Sequence, residues 1–220
     1  MKRLALVVLT VLLGACQSTP YDYGPLIEHM PRSIVVLPPL DETPEVDACY
    51  GWLSTITRPL ADQGYYVFPV ALVDRIMREN GLPTPGEMHQ VSLSKLSEVF
   101  GADAVLYVTV KEWGTSYRVL ASVTTVHVTA RLVDLATGSQ IWAGQSRVRR
   151  NPNDNQNGLL GMLIGALVNQ VATSIADPTV DVARDANSSL VGNSSHGLLY
   201  GPRHPQHEEQ LRELRERRGR

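Results

Sequence analysis

Apolar positions change period several times along the chain, and the order of those changes predicts its architecture. Ile34-Val35-Val36-Leu37, closed by Pro38 and Pro39, is a short continuous apolar run of the kind that forms a strand buried on both faces. From Cys49 to Gln63, Trp52, Leu53, Ile56 and Leu60 recur at helical spacing, and Gly64 ends that helix. Tyr65-Tyr66-Val67-Phe68-Pro69-Val70 is the next strand candidate. A helix over 71–80 follows, with Gly81 where a C-terminal cap belongs. Residues 92–100 place Leu93, Leu96, Val99 and Phe100 on one helical face, again closed by a glycine, Gly101. The order is β-α-β-α, which starts a parallel sheet.

The period then falls to two. Ala104, Leu106, Val108 and Val110 alternate with Val105, Tyr107, Thr109 and Lys111, so one face of this strand is core and the other mixed. A long strand over about 117–134 changes phase midway, from Val119, Ala121 and Val123 to Val126, Val128, Ala130 and Leu132. A strand changes faces only through an extra residue or a sharp coil, which predicts a bulge near Thr124-Thr125. Asp134-Leu135-Ala136-Thr137-Gly138 reads as a hairpin turn and Ile141-Trp142-Ala143 as the returning strand. The pattern predicts an α/β fold: a mixed sheet with a parallel β-α-β start and an antiparallel meander end, with helices packed on it.

Beyond a polar break at 151–157, residues 158–176 read as one helix whose first half is apolar all round. Eleven apolar residues are too few to span a bilayer of roughly 20 helical residues. The alternatives are a core helix, an oligomer contact or a segment dipping into lipid. Leu159, Met162, Leu163, Ile164 and Leu167 are therefore the candidate partner interface. From Asp177 onward periodicity is lost. Residues 204–220 form a charged C-terminal tail, either disordered or a short solvated helix, with Leu211 and Leu214 as its large apolar residues.

The N-terminus changes the picture most. Lys2 and Arg3, an apolar run over 4–13 and the small residues Gly14 and Ala15 precede Cys16, the layout of a signal peptide. Leu13-Gly14-Ala15-Cys16 resembles the lipobox of bacterial lipoproteins. By that resemblance residues 1–15 are removed, the Cys16 thiol receives diacylglycerol and the new amine is acylated by a fatty acid such as palmitate, making release into water negligible. Gln17 rather than Asp at the next position implies, by the sorting rule of enterobacterial lipoproteins, the outer membrane with the domain facing the periplasm. Residues 16–32, rich in Pro, Tyr and Gly, read as the lipidated N-terminus and a flexible tether, and residues 33–203 as one α/β domain. Removing Lys2 and Arg3 takes the 20 basic residues to 18 against 22 acidic ones, a formal charge of −4. Such a balance gives no reason to expect nucleic acid. With Cys16 lipidated, Cys49 has no partner in the chain, which favours a buried, inert thiol over an intermolecular bond.

Candidate chemistry is sparse. His29, His89, His127, His196, His204 and His207 show no zinc-motif spacing. The acidic loop from Asp41 to Asp47 matches no calcium pattern. Gly158, Gly161 and Gly165 suit close helix packing rather than a phosphate cradle, and no serine sits in a nucleophile elbow. Neither catalytic residues, metal nor cofactor are expected. His127, Thr129 and Arg131, near Tyr107, Thr109 and Lys111 on the neighbouring strand, form a polar sheet face that either binds a partner or is simply solvated.

Gly101-Ala102-Asp103-Ala104-Val105-Leu106-Tyr107, Lys111-Glu112-Trp113-Gly114, Ala130 to Asp134 with Thr137-Gly138 and Ile141-Trp142, and Leu198 to Arg203 together resemble the bacterial lipoprotein family catalogued as domain of unknown function 799, a GNA-type lipoprotein family. The resemblance runs from the lipobox to about Arg203. It implies a fold like the N-terminal domain of TolB, and an envelope assembly, since such genes often neighbour CsgG-like lipoproteins. It brings no catalytic residues. The expected role is a membrane-anchored, non-enzymatic scaffold or accessory subunit working with other envelope lipoproteins or with itself. The alternative is a regulator of a peptidoglycan synthase, like the LpoB-type activators.

Overall fold

The computed structural model describes residues 20–118, 121–151 and 178–218. Its parallel half contains β1 (Ser33–Val36), β2 (Leu40–Asp41) and β3 (Tyr66–Val67), with helices α1 (Gly24–Glu28), α2 (Ala48–Asp62), α3 (Val70–Glu79), α4 (Pro85–Met88) and α5 (Leu93–Phe100). Its antiparallel half is β4 (Ala104–Arg118), β5 (Ala121–Asp134) and β6 (Gln140–Arg150), after which come α6 (Pro178–Gly192) and α7 (His207–Arg218). The sheet order is β3-β1-β4-β5-β6, with β2 also paired to β4. Pairing is parallel from β3 through β1 to β4 and antiparallel from β4 to β6. This is the expected mixed sheet with helices packed on it.

Each face of the sheet buries its own core. One face sets Ile34, Val36, Leu106, Val128 and Leu132 against Trp52, Ile56 and Leu60 of α2 and Val182, Ala186 and Leu190 of α6. The other sets Val35, Val105 and Val133 against Val73 and Met77 of α3, Met88 of α4 and Leu96 of α5. A fully buried aliphatic or aromatic side chain contributes roughly 1.5–3 kcal/mol, so the two helix layers clamp β1 and the start of β4 from both sides. Asp103 fixes where β4 begins. Its Oδ2 accepts from the Arg32 and Ser33 N–H groups at 2.8 and 2.9 Å, and its own N–H donates to Ser33 Oγ at 3.0 Å.

Local chemistry explains most element ends. In α4 the Thr84 side chain accepts from the Glu87 N–H while Glu87 Oε2 accepts from the Thr84 N–H at 3.0 Å, a reciprocal cap. Ser92 caps α5, and Gly101 ends it in the left-handed region at φ 61°. The expected hairpin turn is present. Gly138 has φ 76°, its N–H donates to the Asp134 carbonyl at 2.9 Å, and Asp134 Oδ1 accepts from both the N–H and the hydroxyl of Thr137 at 2.7 Å.

Several expectations need correction. The strand expected over 65–70 pairs only at Tyr66–Val67, because Pro69 caps the following helix. The single long strand over 117–134 is the end of β4 and all of β5, and the bulge is not at Thr124-Thr125. Register shifts instead at Lys111 of β4, between Val110↔Val128 and Glu112↔His127. That extra residue moves the core face of β4 from even positions to Trp113, while β5 keeps Thr124, Val126, Val128, Ala130 and Leu132 buried throughout. Residues after Asp177, read as aperiodic, form α6, whose Thr179, Val182, Ala183, Ala186, Asn187, Leu190 and Val191 are buried.

The remaining corrections concern the ends. The tether expected over 16–32 is folded from Tyr21 onward: Leu26 is fully buried and Tyr21 and Tyr23 pack on the core. Tyr23 Oη donates to the Gly197 carbonyl at 2.8 Å, and the Ala143 N–H donates to Tyr21 Oη at 2.9 Å. These residues lack a period because each docks individually. The charged tail takes the helical one of its two expected forms over His207–Arg218, but it is docked rather than solvated, through buried Leu211 and a bond from the Tyr200 N–H to Gln210 Oε1 at 2.7 Å.

Candidate functional site

Where β4, β5 and β6 run past the α3–α5 layer, the sheet presents a polar face built as rungs. Tyr107, Arg131 and Ala143 make one rung, Thr109, Thr129 and Gln145 the next, then Glu112, His127 and Arg147, and then Gly114, Thr125 and Arg149. Because the side-chain period in a strand is two, these residues share the face opposite Val108, Val110 and Trp113. Arg131 lies over the Tyr107 ring at 4.1 Å, a contact of about 0.5–1 kcal/mol when exposed and more when desolvated. Arg147 Nη2 donates to both carboxylate oxygens of Glu112 at 2.6 and 2.7 Å. Lys111, turned out by the bulge, pairs with Glu42 at 2.6 Å. Pairs this exposed are each worth at most about 1 kcal/mol, so they order the surface more than they stabilise the fold.

At one end the face deepens into a cleft of about 240 Å³ lined by Leu40, His89, Tyr107, Thr109, Thr129 and Arg131. His89 meets the Tyr107 ring edge-on with centroids 5.1 Å apart. Its Nε2 lies 2.9 Å from the Pro38 carbonyl; a carbonyl only accepts, so Nε2 carries the proton. Burial holds this imidazole below its ordinary range, with Arg131 adding to the effect and the Pro38 bond opposing it. Burial likewise raises the Tyr107 hydroxyl. A neutral histidine, a protonated phenol and a guanidinium make a lining for hydrogen bonding and stacking rather than proton transfer at neutral pH.

The reactive groups elsewhere are quiet. Cys49, on α2, is 8 % exposed, and burial together with Asp41 and Asp74 pushes its thiol up to about 11, leaving almost no thiolate for nucleophilic work. Among the described residues no three His, Cys, Asp or Glu side chains gather to hold a metal ion. No described helix is long and apolar enough to cross a membrane.

The structure brings together Tyr107 and Arg131, and Thr109 and Thr129, as the sequence suggested. His127 faces Glu112 instead of Lys111, because the bulge displaces Lys111. Sequence reasoning missed His89 and Arg147. His89 arrives from α4, whose Thr84-x-x-Glu87 signal was readable in advance, whereas Arg147 needed the register of β6. Cys16 and the proposed contact residues Leu159, Met162, Leu163, Ile164 and Leu167 lie outside the described residues.

Fold and face together define a mixed-sheet α/β domain that offers an ordered polar surface. Residues 21–203 match the family described as "Putative lipoprotein GNA1162-like", and the chain belongs to that family. It is thereby a lipoprotein, a class held to membranes by a lipid anchor. A lipoprotein of Neisseria meningitidis serogroup B is 45 % identical over 208 residues, covering 92 % of this chain and 97 % of that protein. The crystal structure of lipoprotein GNA1162 from Neisseria meningitidis is 48 % identical with a TM-score of 0.54, covering 65 % of this chain and 99 % of that one. The PelC dodecamer of Paraburkholderia phytofirmans is 15 % identical with a TM-score of 0.47, covering 75 % of this chain and 89 % of that one, too remote to bear on function.

Proposed function

We propose that the chain is a non-catalytic subunit of a cell-envelope assembly. Cys16 carries its lipid, the outer membrane holds it, and the domain faces the periplasm to bind other envelope lipoproteins. The observation that carries this reading is the polar face, where cross-strand pairs fix Tyr107, Arg131, Glu112 and Arg147 beside a cleft containing a neutral histidine, while the one described thiol is buried and protonated. Such a surface is preorganised for recognition, and neighbouring groups supply no activated nucleophile. CsgG-like lipoproteins are the partners this reading expects, and Leu159, Met162, Leu163, Ile164 and Leu167 are a second contact to a partner or another copy. The kinship expected with domain of unknown function 799 and with the TolB N-terminal domain belongs to the same reading.

Crosslinking in intact cells followed by purification in mild detergent tests it, comparing the wild-type chain with Thr129→Arg and Arg131→Glu. Recovery of CsgG-like lipoproteins with the wild type, and their loss from either folded variant, is the expected result. Recovery of a penicillin-binding protein would replace the scaffold with a peptidoglycan-synthase regulator. Labelling with a palmitate analogue should mark the wild type and leave Cys16→Ala unmarked.

A further inference from the structure

The distance between the proposed lipid and the folded domain is shorter than the composition of residues 16–32 suggests. Tyr21 is already docked, packing against Tyr23 at 4.8 Å and accepting the Ala143 N–H at 2.9 Å. Cys16 is five residues before it, and five extended residues reach at most about 17 Å. Seventeen residues of free tether would reach nearly 60 Å. A chain held by lipid at Cys16 thus keeps the Tyr21 corner of its domain within about 17 Å of the membrane surface.

That corner lies on β6, the edge strand of the sheet. The Ala143 N–H points away from β5 to reach Tyr21, so the outward backbone groups of β6 continue from there along Gln145, Arg147 and Arg149, where no further strand pairs among the described residues. Gln145, Arg147, Arg149 and Arg150 are all exposed. Glu112 neutralises Arg147 and Asp185 pairs with Arg150, while Arg149 makes no ion pair among the described residues. A long open edge of this kind invites strand addition unless charge or a covering surface blocks it.

We propose that the outer edge of β6, from the Tyr21 contact at Ala143 to Arg149, rests on the anionic headgroups of the membrane that holds the lipid anchor. The inference builds on the lipid anchor of the proposed function and adds an orientation to it. The membrane covers the open edge, Arg149 meets lipid phosphate, and the cleft around His89 and Tyr107, two strands further in, is left facing a partner. A single basic residue close to an anionic surface adds only a modest attraction, so the short tether supplies most of the bias and the arginines refine it.

The test uses the full lipidated chain in vesicles of phosphatidylethanolamine and phosphatidylglycerol containing a headgroup-attached quencher. A fluorophore is placed at Gln145→Cys or, in a separate protein, at Leu72→Cys; Leu72 is 50 % exposed on α3, in the helix layer over β1. Quenching at least about threefold stronger at 145 than at 72 is expected, and a flexible insert of about twelve Gly and Ser residues after Thr19, which adds roughly 20 Å of reach, should bring the two together. Equal quenching at both sites in an acylated protein overturns the inference. Crosslinks between 145 positions of two copies in detergent, without vesicles, also overturn it by giving the edge to a second copy. Absence of acyl label on the wild type overturns the anchor itself, which separates that failure from the orientation.

Discussion

Replacing Gly144 with Ala tests whether the packing beneath the polar face is as tight as it looks. Gly144 has no positive φ to lose, so the effect is steric. An added Cβ would sit 2.4 and 2.6 Å from Cζ2 and Cη2 of Trp142 and 3.3 Å from Cδ1 of Leu190. The indole has little room to give way: Trp142 is 2 % exposed, its Nε1–H donates to the His196 carbonyl at 2.9 Å, and Leu190 on α6 is 1 % exposed. Overpacking costs about 1–3 kcal/mol, and tilting the ring enough to break its buried hydrogen bond adds about 1–3 kcal/mol. A net loss of about 2–6 kcal/mol is expected, which for a domain of this size lowers Tm by about 4–24 °C. Thermal unfolding of the unlipidated mature chain, followed by circular dichroism, measures it. Trp142→Phe removes the two atoms that clash, so in that background Gly144→Ala should cost under about 1 kcal/mol, a strong coupling between contacting sites. Equal losses in both backgrounds, or a shift below about 2 °C in the first, would refute the steric account.

Three further perturbations follow from particular residues. Gly138→Val should destabilise by about 1–3 kcal/mol, since it places a β-branched residue at φ 76° with Leu93 Cδ1 3.4 Å from the new Cβ; a chemical denaturation midpoint reads it. His89 is held below 6.5 by burial, so folding favours its neutral form. That contribution is complete above pH 6.5 and is lost as pH falls from there towards the lower folded value. Melting between about pH 7 and 5 should therefore fall less steeply in His89→Gln than in the wild type. At pH 8 the Cys49 thiol, raised from 9.0 to about 11, should react with a disulfide reagent at least about 100-fold more slowly in the native chain than after unfolding.

The elements legible in the sequence were those whose large apolar residues alone define a period. Trp52, Leu53, Ile56 and Leu60 marked α2, the even positions of β4 marked its core face, and Asp134 to Gly138 marked the turn. Helix α6 has the same i, i+3, i+4 spacing from Thr179 to Val191, but four of the seven positions are Thr, Ala, Ala and Asn, which carry no hydropathy signal. Asn187 is fully buried there because its Nδ2 donates to Thr55 Oγ1 at 2.8 Å, a bond that only the docked pair of helices creates. The N-terminal segment was hidden for a different reason: Tyr21, Tyr23 and Leu26 are held by separate tertiary contacts and share no periodic face. Of the candidate site, the residue types of the polar face were legible, and their partners were not. Cross-strand neighbours depend on register, and one extra residue changes every pair beyond it.

The extra residue at Lys111 is therefore what joins fold to surface. Without it the even positions of β4 would stay on the helix side past Val110, which would bury Glu112 against α2 and α6 and turn Trp113 to the polar face. With it, Trp113 comes to 9 % exposure on the helix side, its ring beside Gly51, where an added Cβ would lie 2.5 Å from Cζ2. Glu112 moves to the polar face, where Arg147 reaches both of its oxygens. Burying an unpaired carboxylate costs several kcal/mol, far more than one unpaired residue in a ladder, so the register is decided by the Glu112-Trp113 dipeptide. The same choice sends Lys111 outward to Glu42 and sets His127 against Glu112. The polar face is thus a consequence of core packing one residue away, and its order is inherited from the buried side of the same strand.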